Sequence, residues 1–178
     1  NEKPVQGATI YSLGNPHDLG MILVPGTYNG LQKYSFYPRI HFTGAVNAGM
    51  SGGPTVDAAG KVVGVNVASA GNQLGFLVPA DALQALLQRF LQDGEVADFK
   101  QQIDKQLVQS QQKMFEKILN ANWQLKDFGP GKVPDEVVPF IRCWGESNVE
   151  KDKDQLKKVA AFCSKSEEIF LSQQFTTG

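Results

Sequence analysis

The chain has 178 residues, enough for one sizeable core or for a small barrel followed by a second compact region. Lysine and arginine total 17 against 18 aspartates and glutamates, so no net positive field exists to attract nucleic acid. No apolar run approaches the roughly 20 residues needed to cross a bilayer, and we expect no membrane span. The chain begins at Asn1 rather than at a methionine and ends after a strand-like run, so we expect trimming at both ends.

The first 80 residues have the composition of a β-protein. They hold 13 of the 18 glycines and only 7 charged residues, whereas residues 81–178 hold 28 charged residues. Short apolar runs recur about every 10 residues, separated by turn residues. These runs are Ala8–Leu13, Met21–Val24, Arg39–Phe42, Lys61–Val67 and Leu74–Val78. Strands of this length and spacing predict an antiparallel barrel or sandwich.

Beyond Pro79 the apolar spacing becomes helical. Leucines and a phenylalanine three or four apart predict a helix over about 80–91, with Asp81 placed to cap its first turn. A second apolar stripe, from Val96 to Ile118, predicts another helix, which packs against a core or forms a partner-binding coiled coil. Residues 137–144 predict a short strand, and residues 151–165 predict a third helix.

The two cysteines, Cys143 and Cys163, are 20 residues apart. This separation is compatible with a disulfide and equally with two unrelated thiols. No Cys-x-x-Cys spacing is present, so no zinc or redox site is predicted.

The run Gly49-Met50-Ser51-Gly52-Gly53-Pro54 is the motif that carries chemistry. It satisfies the Gly-x-Ser-x-Gly pattern of the α/β-hydrolase nucleophile elbow, which requires a helix directly after the serine and a histidine further along the chain. Here a proline and a predicted strand pair follow, and both histidines, His17 and His41, precede Ser51. The α/β-hydrolase interpretation is therefore excluded. The remaining interpretation is a tight, glycine-flanked loop whose backbone N–H groups point at a reacting carbonyl oxygen.

Four segments, in order and spacing, resemble the second barrel of trypsin-like serine proteases of the HtrA type. They are Gly14–Pro16, Asn47–Pro54, Gly60–Asn66 and Leu74–Pro79. The resemblance covers about residues 5–92, and it implies a six-stranded antiparallel barrel over about residues 5–80 that is closed by the helix after Pro79. Met50 and Ala48 stand where the family usually has asparagine and proline.

The resemblance implies a role for each matching position. Ser51 is the nucleophile, and the N–H groups of Gly49 and Ser51 form the oxyanion hole. The substrate pocket is built from Ala45, Val46, Asn66, Val67, Ala68, Ser69 and Gly75. Trypsin carries an acid six residues before its serine, where this chain has Ala45, so a small neutral pocket for aliphatic side chains is expected.

In this family the catalytic histidine and aspartate lie on a first barrel, N-terminal to everything present here. The family match puts His41 at a position that is not the base, although it lies ten residues before Ser51. His17 is interpreted as a turn residue without the partners of a metal site, and Asp57 as a hairpin-turn residue. We expect no cofactor and no metal.

These observations give a mixed fold, with a β-barrel followed by a mainly α-helical extension. Residues 1–92 are expected to be the C-terminal barrel with its closing helix, and residues 93–178 an extension of unassigned role. The leading hypothesis is a serine endopeptidase fragment, inactive alone, that needs the missing first barrel. The alternative is a catalytically inactive trypsin-fold binding module.

The resemblance also implies the protein's surroundings. We expect a periplasmic or secreted protein that acts on peptides or unfolded proteins and that can form homo-oligomers. An oxidising compartment of this kind favours a disulfide between Cys143 and Cys163.

Overall fold

The computed structural model describes residues 3–69, 71, 73–128, 131–147 and 159–165. The chain divides into two compact units, the first made of residues 1–32 and 37–103 and the second of residues 33–36 and 104–178. None of the helices in the described residues is both long and apolar enough to span a membrane.

Six antiparallel strands of the first unit form a closed barrel in the order β1-β2-β3-β6-β5-β4. Their bounds are β1 Thr9–Gly14, β2 Ile22–Leu31, β3 Ile40–Thr43, β4 Pro54–Val56, β5 Val62–Ser69 and β6 Gly75–Pro79. The predicted six-stranded antiparallel barrel is confirmed. Closure pairs β1 with β4, so both edge strands of the sheet obtain a neighbour.

The barrel core follows from the two-residue period of its strands. Ile40 and Phe42 on β3 are buried while His41 between them is half-buried, and Leu77 on β6 is buried between half-buried neighbours. The core cluster comprises Ile10, Tyr28, Ile40, Phe42, Val46, Met50, Val63 and Leu77. Burial of each large apolar side chain stabilises by about 1.5–3 kcal/mol relative to exposure. Two of these residues, Val46 and Met50, lie in the β3–β4 loop, so the loop that carries the motif is anchored in the core.

Two helices follow the barrel, α1 at Ala80–Asp93 and α2 at Phe99–Leu119. α1 ends at Gly94, whose φ of 75° lets its N–H reach the Phe90 carbonyl at 2.9 Å. Asp81 makes no capping hydrogen bond, contrary to the sequence prediction, and its carboxylate lies 3.2 Å from the ammonium of Lys3 at the surface.

The second unit contains two β-hairpins. β7 at Leu125–Phe128 pairs with β8 at Gly131–Pro134, and β9 at Ile141–Ser147 pairs with β10 at Val159–Lys165. The third helix predicted for residues 151–165 is wrong over 159–165, which form β10, and residues 151–158 lie outside the described residues. The described extension is therefore mixed rather than mainly helical.

The β9–β10 hairpin is held by side chains as well as by its backbone. Cys143 lies opposite Cys163 in the register, and the two are joined by a disulfide. The next cross-strand pair, Trp144 and Phe162, stacks with ring centroids 6.0 Å apart. Cross-strand contacts of this kind stabilise the strand form over the helical one.

Candidate active site

Ser51 lies at the exposed tip of the loop between β3 and β4. Two consecutive turns shape this loop: Met50 N donates to Asn47 O at 3.1 Å, and Gly53 N donates to Met50 O at 3.1 Å. The second turn brings the backbone directly into β4, which begins at Pro54. The serine therefore stands on a strand-to-strand loop.

The turn that follows β1 is hydrogen-bonded to the Ser51 loop. His17, in a 3₁₀ turn at Pro16–Asp18, donates its backbone N–H to Ala48 O at 3.1 Å. Gly49 has a φ of 94°, and a β-carbon at Gly49 would collide with the carbonyl oxygen of Asn15. Both the conformation and the close approach require glycine at this position.

The two backbone amides predicted to form the oxyanion hole are not used by the fold. Within the described residues, neither Gly49 N nor Ser51 N donates a hydrogen bond, although the neighbouring amides of Met50, Gly52 and Gly53 all do. Free amides beside an exposed hydroxyl can receive the negative charge of an attacked carbonyl oxygen.

Asn66 on β5 is the buried centre of a hydrogen-bond network behind the serine. Its Oδ1 accepts from Ser12 Oγ at 3.0 Å and from Thr55 Oγ1 at 2.7 Å. Its Nδ2 donates to Met50 O at 3.1 Å and to Leu13 O at 3.2 Å. The sequence analysis assigned Asn66 to the substrate pocket, but its fully buried side chain cannot line an open one.

The backbone of Asn66 also holds the loop. Its carbonyl oxygen accepts from Gly52 N at 2.8 Å, and its N–H donates to Gly53 O at 2.9 Å. Residues on both sides of Ser51 are therefore tied to one residue of β5. A signal for this role exists in the sequence, because Asn66 is an amide within a run of valines, where asparagine is disfavoured unless it is hydrogen-bonded.

Met50 provides the apolar anchor of the loop. Its side chain is fully buried, and its Sδ lies 3.5 Å from the backbone N of Asn47. Its side chain packs over Gly14, where a β-carbon would lie 2.7 Å from Met50 Cγ. The departure from the family's asparagine therefore replaces a polar side chain with core packing.

The other predicted pocket residues differ in their exposure. Ala45 and Val67 are exposed, whereas Val46 and Gly75 are buried. A β-carbon at Gly75 would lie 2.9 Å from Val46 Cγ2, so Val46 occupies the space beside the glycine. The side chains of Ala68 and Ser69 lie outside the described residues.

Neither histidine contacts the serine through any hydrogen bond of the described residues. His41 lies on β3 opposite Phe76, with ring centroids 6.3 Å apart, and its Nε2 is buried without a partner. Asp57 accepts from Ala59 N and Lys61 N, both at 2.9 Å, as expected of a hairpin-turn residue. No cluster of metal-ligating side chains occurs in the part of the chain that is described.

Comparison with known proteins defines the class of this barrel. Residues 1–65 match the family Trypsin-like peptidase domain. This part of the chain is therefore similar to trypsin-like peptidases, and the closed six-stranded barrel agrees with that similarity. The curated proteins that it resembles include proteases of the Do-like and DegP-like kind.

Two curated relatives and one solved structure illustrate the similarity. Protease Do-like 1, chloroplastic, of Arabidopsis thaliana is 28% identical over 51% of this chain and 24% of its own length. A probable periplasmic serine endoprotease DegP-like of Bartonella henselae is 37% identical over 51% of this chain and 20% of its own length. A serine endoprotease structure from Yersinia pestis is 26% identical, covering 54% of this chain and 35% of that chain, with a TM-score of 0.49.

The chain therefore spans about a quarter or less of the length of these curated relatives.

Proposed function

We propose that this chain carries the nucleophile of a serine endopeptidase, with Ser51 forming the acyl-enzyme. Ser51 Oγ attacks the carbonyl carbon of a peptide bond, the C–N bond breaks, and the amine leaves with a proton; water then hydrolyses the ester. The main supporting observation is that Ser51 is exposed and that two backbone amides of its loop, Gly49 N and Ser51 N, donate no hydrogen bond in the described residues.

We assign the proton acceptor and its orienting acid to a first barrel that precedes residue 1 in the full-length protein. A serine hydroxyl is a weak nucleophile at neutral pH and needs a base within hydrogen-bond reach. The described residues supply no such partner for Ser51. The curated relatives, which match over 20% to 24% of their length, have ample chain outside the match to carry one.

The proposed organisation is a nucleophile-bearing barrel with its closing helix over residues 1–92, followed by an extension. The proposed substrates are peptides and unfolded proteins with a small or medium aliphatic residue at the cleaved position. Two observations support this preference: Ala45 is uncharged, and Val46 fills the space beside Gly75. We propose a periplasmic or secreted location, consistent with the Cys143–Cys163 disulfide, and a homo-oligomeric enzyme.

The test uses a fluorophosphonate probe, which reacts with activated serines. The full-length protein should label at Ser51, and Ser51→Ala should remove both labelling and peptide cleavage. The isolated 178-residue chain should label poorly, because the base is absent.

Two results would contradict the proposal in different ways. Peptidase activity of the isolated chain that Ser51→Ala removes would show that the base lies within residues 1–178. A folded full-length protein that neither labels at Ser51 nor cleaves peptides would instead identify a catalytically inactive binding module.

A further inference from the structure

The orientation of the buried Asn66 amide is fixed by its partners. A side-chain amide offers two donor hydrogens and two acceptor lone pairs, and all four are used here, by Ser12, Thr55, Leu13 and Met50. Exchange of its oxygen and nitrogen would place the oxygen against two carbonyl oxygens. Asn66 Nδ2 therefore points at Met50 O in the only satisfied arrangement.

The Met50 carbonyl belongs to the same peptide unit as the Ser51 N–H. A trans peptide is planar, so its C=O and its N–H point in opposite directions. Because Met50 O is held toward the barrel interior by Asn66 Nδ2 and by Gly53 N, the Ser51 N–H must point away from the interior. That is the direction required of an oxyanion-hole donor beside an exposed hydroxyl.

The second donor is oriented by the same principle. Ala48 O accepts from His17 N, so the Gly49 N–H, in the same peptide unit, points away from His17. Both proposed donors of the oxyanion hole are therefore oriented by hydrogen bonds to the carbonyl oxygen of their own peptide unit. The hydrogen bond to Ala48 O comes from a backbone N–H, whereas Met50 O also accepts one from the Asn66 side chain. Only the side-chain hydrogen bond can be removed by mutation.

We propose that Asn66 is a positioning residue, which orients the Ser51 N–H for the oxyanion by holding the Met50 carbonyl. This inference rests on the proposed function and adds to it a residue that never touches substrate. Without the Asn66 donor, the Met50 carbonyl keeps only the hydrogen bond from Gly53 N, so the Met50–Ser51 peptide unit is less restrained and the Ser51 amide is less well preorganised. The loss then falls on the transition state rather than on substrate binding.

Asn66→Asp in the full-length protein is the main test. The substitution is nearly isosteric, and the backbone bonds from residue 66 to Gly52 and Gly53 remain available. An oxygen then faces Met50 O and Leu13 O, and two acceptors repel. We expect kcat to fall by about 10²–10³-fold, as on loss of one oxyanion donor, with KM changed by less than about threefold. The ratio of variant to wild-type kcat should rise at acidic pH, because a protonated carboxyl regains one donor.

Ser12→Ala is the matched control. It removes one hydrogen bond to the same amide but leaves Thr55 on Oδ1 and leaves Nδ2 on Met50 O. Both variants are compared with wild type by thermal unfolding. Ser12→Ala should lower the melting temperature with a much smaller loss of kcat than Asn66→Asp, because the donor to Met50 O remains; this separates orientation of the loop from stability of the barrel.

A crystal structure of full-length Asn66→Asp provides a readout that is independent of activity. Rotation or disorder of the Met50–Ser51 peptide unit supports the proposal, even if the wild-type protein proves inactive and the proposed function fails. An unchanged peptide unit overturns it. A folded variant with wild-type kcat, or a Ser12→Ala protein with the same kcat loss, also overturns it. If Asn66→Asp does not fold, Asn66→Ser, which is too short to reach Met50 O, replaces it; failure of both to fold overturns the proposal by making Asn66 a requirement of the fold.

Discussion

Gly49 and Asn15 lie in backbone contact: the space where a β-carbon of residue 49 would stand is occupied by the carbonyl oxygen of Asn15. The contact joins the Ser51 loop to the turn after β1, and the hydrogen bond from His17 N to Ala48 O runs beside it at 3.1 Å. The geometry of the loop therefore depends on the absence of one methyl group.

Gly49→Ala should displace the loop, because the added methyl meets a backbone atom that cannot move aside. We expect kcat/KM of the full-length protein to fall by about 10²–10³-fold, the loss that is typical when one oxyanion donor is removed. Gly52→Ala is the control. Gly52 also has a positive φ, 82°, but no atom lies within 4 Å of an added β-carbon. Gly52→Ala should lower the free energy of unfolding by the backbone strain of about 1–3 kcal/mol, with a smaller loss of kcat/KM than Gly49→Ala. Equal kcat/KM values for the two variants would contradict this view of the loop.

Met50→Ala should destabilise the barrel by about 2–5 kcal/mol, because it leaves a cavity beneath the Ser51 loop. Met50→Leu, which nearly conserves volume, should cost less than about 1.5 kcal/mol. The measurement is the free energy of unfolding from urea titration. Met21→Ala is the matched control, since Met21 is 71% exposed and Met50 is 0% exposed. A similar small cost at both methionines would show that Met50 does not anchor the loop.

Substrates with valine at the cleaved position should be hydrolysed faster than matched peptides with arginine. An arginine side chain would place its charge in a region that offers Ala45 and Val46 but no carboxylate, so the charge would remain unpaired. The experiment compares kcat/KM of the full-length enzyme on two peptides that differ at that residue alone. Faster cleavage after arginine would overturn the pocket assignment.

His41→Ala should leave peptide cleavage by the full-length protein within a few-fold of wild type. His41 lies on β3 beside Phe76, and its Nε2 is buried without a hydrogen bond. Ser51→Ala, measured in parallel, gives the activity expected when a catalytic group is lost. A comparable loss in a folded His41→Ala protein would make His41 the base and remove the need for one upstream.

Replacing both cysteines, Cys143→Ser with Cys163→Ser, should destabilise the second unit by about 3 kcal/mol, the chain-entropy value for a loop of this size. Thermal unfolding of the double variant and of the reduced wild-type protein should agree. Labelling of Ser51 in the full-length protein serves as the control and should not change, because the cysteines lie in the other compact unit. An unchanged unfolding temperature would show that the bond contributes nothing to that unit.

The barrel was predictable because its signal is local. Each strand is a short apolar run bounded by turn residues, and alternate side chains of β3 enter the core as the two-residue period requires. The Ser51 motif is local too. The role of Asn66 is not, because its side-chain partners lie 11, 16, 53 and 54 residues away along the chain. An asparagine in a valine-rich strand indicates that its side chain is hydrogen-bonded, but the sequence does not indicate to which residues.

The helix predicted over residues 159–165 failed for a related reason. Val159, Phe162 and Cys163 are three and one residues apart, which fits one face of a helix. Pairing with β9, the disulfide to Cys143 and the stacking of Phe162 on Trp144 favour the extended form instead. Local spacing cannot record contacts with another strand, and here those contacts decide the conformation.

The disulfide across the β9–β10 hairpin affects how cleavage of the backbone would be detected. Its two cysteines are 20 residues apart in sequence, so the bond closes a covalent ring in the backbone. A single cut within that ring converts one chain into two polypeptides that remain linked through sulfur. On a gel without reductant the nicked and intact molecules would migrate at the same mass, and only reduction would separate the fragments. Self-cleavage at this hairpin would therefore pass unnoticed in any preparation judged under non-reducing conditions.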